Sequence, residues 1–118
     1  SKILEFPPNL ERLMINSSCD SNYFRKLPVT LKELETRMHH ILPEHLTFLP
    51  TRLEILHLKQ SDITDEGLKF LPASIKKLNL TGCSCLTTLG YMNLPSDIQL
   101  STINRIFLPL IYTAVQNN

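Results

Sequence analysis

The prolines set the frame for this chain. The pairs Phe6-Pro7, Leu27-Pro28, Leu49-Pro50, Leu71-Pro72 and Leu94-Pro95 are each followed, three positions later, by an aliphatic residue: Leu10, Leu31, Leu53, Ile75 and Ile98. Successive prolines lie 21, 22, 22 and 23 residues apart. A near-constant spacing over most of a chain is an internal repeat, and a period in the low twenties predicts a solenoid of stacked units. The units expected are 6–27, 28–49, 50–71 and 72–94, within a repeat region over 1–98.

Each unit opens with the spacing LxxLxL. The framework residues are Leu10, Leu13 and Ile15; Leu31, Leu34 and Thr36; Leu53, Leu56 and Leu58; Ile75, Leu78 and Leu80. Thr36 is the one that is not aliphatic, and it is β-branched and suited to a strand. The pattern predicts a strand whose framework residues point into a core while those between them point out. The second half of a unit carries helix signals. In the third unit Thr64 is placed to cap, Asp65 and Glu66 suit a first turn, and Pro72 stops continuation. In the second, Pro43 suits a first helical position, with Leu46 and Leu49 facing the core. Ile63, Leu68 and Leu71 are the matching positions of the third. Gly82 and Gly90 predict a looser return in the fourth unit, and Tyr23, Phe24 and Leu27 supply the burial of the first. One unit cannot offset the backbone entropy of ordering itself, so units must share a core.

After Pro95 the pattern changes. Ile98 and Ile103 are expected to keep framework positions, with Ser101 in place of the middle leucine. Residues 99–118 then carry Ile103, Ile106, Phe107, Leu110 and Ile111 at helical spacing, interrupted by Pro109. This predicts a helical cap over the open end of the solenoid. A membrane-surface helix is the rival, but Arg105 is the stretch's one basic residue, where such helices are rich in them.

Length and charge narrow the function. The 118 residues suffice for one domain, and a net charge of +1 argues against nucleic acid as the main partner. No apolar run is long enough to span a membrane. The opening SKILEFPPN does not read as a signal peptide, and its KILEF looks like the tail of an earlier repeat, as in a piece of a longer protein. Cys19, Cys83 and Cys85 follow no disulfide framework, which points to free thiols in a reducing, intracellular setting. Sequons at Asn16 and Asn79 fall in predicted strands, and glycosylation is not expected there.

LxxLxL followed by a small or polar residue eight positions after its first leucine resembles the leucine-rich repeat family. That residue is Ser18, His39, Ser61 and Cys83 in turn, of which Cys83 matches the family's usual Asn or Cys. The Leu-Pro-x-x-Leu opening is similar to the short repeats of bacterial effector proteins. ITDEGLKFLP looks like the longer cysteine-containing class. The resemblance implies an α/β right-handed solenoid with a parallel concave sheet, short helices or irregular turns behind it, and a role in binding. It also implies that Cys83 and His39 occupy a buried loop position.

The register then names a candidate face. Outward positions are Arg12, Met14 and Asn16; Glu33, Glu35 and Arg37; Ile55, His57 and Lys59; Lys77, Asn79 and Thr81. Stacked in a sheet, these form columns about 4.8 Å apart from strand to strand. A mixed surface of this kind suits a protein partner. Arg12, Met14, Glu33, Glu35, Arg37, Ile55, His57, Lys59, Lys77 and Asn79 are the partner-binding candidates.

Two chemical readings are weaker. Cys83-Ser84-Cys85 with His39, His40, His45 and His57 invites a metal, but C-x-C is tighter than structural zinc spacing and has no second pair. Cys83 and His39, two repeats apart, stand about 10 Å from each other in a sheet, too far for a nucleophile and its base. No phosphate loop, nucleophile elbow or HExxH motif occurs. The chain is therefore expected to be a non-enzyme without cofactor, monomeric when unbound, that binds a protein as an inhibitor or adaptor. A bacterial effector acting in a host cytoplasm is one form. The rival is the substrate-recognition portion of a larger enzyme such as an effector ubiquitin ligase.

Overall fold

The computed structural model describes residues 6–15 and 21–101. They form an α/β fold with five strands and three short α-helices. In chain order these are β1 (Arg12–Ile15), a 3-10 helix (Ser21–Lys26), β2 (Glu33–Thr36), α1 (Pro43–Leu46), β3 (Ile55–Leu58), α2 (Asp65–Leu68), β4 (Lys77–Asn79), α3 (Thr88–Met92) and β5 (Gln99–Ser101). The strands make one parallel sheet in sequential order β1-β2-β3-β4-β5. The 3-10 helix, α1, α2 and α3 form a second row in the same order.

The Pro-x-x-Leu spacing has a direct geometric cause. The carbonyl of each proline accepts the N–H of the aliphatic residue three positions on: Leu10, Leu31, Leu53, Ile75 and Ile98, at 3.2, 3.2, 3.2, 3.3 and 3.2 Å. This closed turn aims the following residues into the sheet. The ladder then begins at once, with Lys32 and Glu33 both donating to the Glu11 carbonyl, and Glu54 and Ile55 to that of Lys32. Side chains tie the same turns across units. The Thr30 hydroxyl donates to the Leu10 carbonyl at 2.7 Å, and that of Ser74 to the Leu53 carbonyl at 2.6 Å.

The framework residues line the core. Nine of them, from Leu31 to Leu80, are at most 4% exposed, while Leu10 and Leu13 at the β1 edge are half-buried. Thr36 is fully buried, yet its hydroxyl accepts hydrogen bonds from the Tyr23 hydroxyl (2.9 Å) and the Met38 N–H (3.2 Å). A buried polar group is tolerated there because it is paired. Tyr23 stacks on Phe24 (4.5 Å between centroids), and Phe24 on His45 (5.6 Å). Pro43 begins α1, where its missing N–H costs nothing. His45 Nδ1 accepts the Leu42 N–H at 3.0 Å.

The structure departs from the sequence reading in several places. Thr64 is the N-cap of α2, but its side chain makes no capping bond. The fourth return is the longest of the three α-helices rather than the loosest, and Gly90 lies inside it because Asp65 occupies the space a Cβ would need. Register at the last strand also differs. Leu100, not Ser101, pairs with Leu78, and Ser101 stands exposed beside Asn79. The turn closed by Pro95 is one residue shorter before its strand than the others, so β5 extends the sheet into the segment assigned to the cap. Ile103 and the helical stripe beyond it lie outside the described residues, as do Asn16, Ser18 and Cys19.

Candidate functional site

Parallel pairing aligns the outward residues into columns. One runs Arg12, Glu33, Ile55, Lys77 and Gln99; the next runs Met14, Glu35, His57, Asn79 and Ser101. All ten binding candidates are exposed or half-buried and share this face with Thr81. Gln99 and Ser101 belong to it too. The sequence reading missed them by placing the last strand one residue out of register.

The two glutamates of β2 are offset by basic neighbours. Glu33 Oε1 lies 3.4 Å from Arg12 Nε, and its Oε2 lies 3.3 Å from His57 Nε2. Glu35 Oε2 lies 3.5 Å from both Arg37 Nε and Lys59 Nζ. Each carboxylate therefore has two basic groups. Glu35 is the more enclosed of the two, its side chain 19% exposed. His57 Nδ1 is buried without a hydrogen-bond partner among the described residues. Asn79 Oδ1 accepts the Thr81 N–H at 3.0 Å and ends its strand in a tight turn. Lys77 is exposed and has no ion pair among the described residues.

At the C-terminal ends of the strands the loop position behaves unevenly. Cys83 is buried, with its Sγ donating to the Leu58 carbonyl at 2.7 Å and lying 3.4 Å from the Ser61 hydroxyl. Burial pushes the Cys83 thiol up, and the hydrogen bonds of Ser61 and Gln60 only partly oppose it. A thiol held protonated is a packing group rather than a nucleophile. His39, expected at the same buried position, is exposed, and its Nδ1 lies 3.0 Å from the Gln60 carbonyl. Met38 turns into the core instead, because imidazole offers less apolar surface to bury. His40 lies outward, with its Nδ1 2.6 Å from Asp62 Oδ2.

Among the described residues, no three His, Cys, Asp or Glu side chains are grouped as metal ligands. No helix among them is long and apolar enough to cross a membrane. Among the described residues the exposed face is thus a mixed surface of paired charges, one lysine without an ion pair and two apolar side chains, Met14 and Ile55, built on five aligned strands. Compared with protein-family models, curated proteins and solved structures, the chain matches none.

Proposed function

We propose that this chain is a leucine-rich repeat solenoid that binds a partner protein through the outward face of its parallel sheet. One observation carries the reading. Parallel sheets are ordinarily covered on both faces, yet here the side opposite the core presents its columns to solvent. The centre of the face is also partly ordered: Glu33 and Glu35 meet the half-buried His57 and Lys59 across β2 and β3. Pre-ordered side chains lose less entropy on binding. The half-buried Ile55, His57 and Glu35 form the centre, where a partner would be most enclosed. As an inhibitor or adaptor the chain covers another protein's surface and does no chemistry itself. An effector working in the reducing cytoplasm of a host cell is one setting for it.

The test is capture with the purified protein as bait, beside the triple variant Glu35→Ala, His57→Ala and Lys59→Ala. Once equal thermal unfolding is established, a protein retained by the parent and lost by the variant is expected. Equal capture by both would put the binding surface elsewhere.

A further inference from the structure

On the reading of the sheet face as a binding surface, we infer that the segment docked there is acidic and sits on its β3–β5 half, against Lys77. The face is electrostatically uneven. Its two carboxylates, Glu33 and Glu35, lie on β2, and each already has two basic neighbours. From β3 onward the outward positions are Ile55, His57, Lys59, Lys77, Asn79, Thr81, Gln99 and Ser101, with no acid among them. Lys59 is the partner of Glu35, whereas Lys77 and the adjacent exposed Lys76 have no ion pair among the described residues.

Position refines the fit. Of the acids outside the face, Glu54 and Asp97 come directly or nearly before β3 and β5 in the chain, and Lys77 opens β4 with Lys76 just before it. Ile55 pairs with Lys77 across β3 and β4, so an acidic segment over Lys77 has Ile55 as its apolar contact and Gln99 and Asn79 as polar neighbours. A nucleic acid fits poorly. A phosphate chain needs a continuous basic track, and here Glu33 and Glu35 stand two strands from Lys77, about 10 Å away.

The probes are a fluorescein-labelled peptide of mixed Glu, Leu and Ser, its counterpart with Gln for Glu, and a single-stranded oligonucleotide, read by anisotropy at low and high salt. The parent is expected to hold the Glu peptide about tenfold tighter than the Gln peptide, with the preference shrinking as salt rises. Lys77→Glu should abolish that preference. Arg52→Glu, at an exposed position outside the strands with no ion pair among the described residues, should leave it intact. Equal binding of the two peptides, binding of neither, stronger binding of the oligonucleotide, or equal effects of the two variants would each overturn the inference. Its failure is separable from that of the binding face. A captured partner lost by the triple variant but kept by Lys77→Glu leaves the face in place and removes the acidic segment.

Discussion

At the scale of single residues, close packing decides where glycine is required. A Cβ on Gly90 would fall 2.1 Å from Asp65 Oδ1 and 2.6 Å from its Cγ. The Asp65 carboxylate cannot swing away freely, because it accepts the Thr87 N–H at 2.9 Å and the Thr87 hydroxyl. Alanine in a helix gains about 1 kcal/mol over glycine, but overpacking costs about 1–3 kcal/mol and a lost hydrogen bond to a charged group about 1.5–3 kcal/mol. The loss wins. Gly90→Ala is expected to lower stability by about 1–3 kcal/mol in urea unfolding. Combined with Asp65→Ala it should cost clearly less than the two changes added, since the clash and the bond vanish together. Additive costs would mean that Asp65 moves aside freely. Gly82 is constrained differently, with φ of 76°, and Gln60 holds φ of 58° at the equivalent position one unit earlier. The glycine announces that left-handed turn; the glutamine conceals it.

Between elements, the turns rather than the helices carry the specific bonds. Helices of four or five residues are too short to persist alone, so the second row exists because its apolar side packs on the sheet. Asp62, in the turn after β3, reaches back to the turn after β2. Its Oδ1 accepts the Ile41 N–H at 2.9 Å, while Oδ2 meets His40 Nδ1. Partial burial opposes its ionisation, but the bonds from Ile41 and His40, with the charge of the two histidines, outweigh this and hold the carboxyl below its ordinary value. A carboxyl depressed in the folded state stabilises fully above its unfolded value of about 3.9. That contribution is lost as pH falls through the lower folded value. Asp62→Asn should therefore be less stable than the parent near neutral pH, with the gap closing as the pH is lowered below about 4. A gap that stays constant down to the acid limit would show that the charge of Asp62 does not matter to folding.

At the scale of the whole sheet, the strands of the described residues pair only with their sequence neighbours, so stability is assembled step by step along it. Leu56 on central β3 is fully buried, and Leu13 on edge β1 only half so. Leu56→Ala is expected to cost about 2–5 kcal/mol, and Leu13→Ala distinctly less, by shifts in denaturation midpoint. Equal costs would argue that burial does not grade from edge to centre. Much of this was legible beforehand. A period near 22 with Pro-x-x-Leu and LxxLxL places every framework residue of the first four strands, because a turn closed at fixed spacing and a side-chain period of two leave one register that buries the leucines. The outward columns, and hence the candidate face, follow from the same register. What only the tertiary structure decided depends on neighbours distant in the chain. Burial of Met38 instead of His39, the place of Gly90 against Asp65, the shortened turn before Leu100, and the two basic partners of each face glutamate all arise between units. A repeat seen one unit at a time is silent on how unlike side chains meet across the stack.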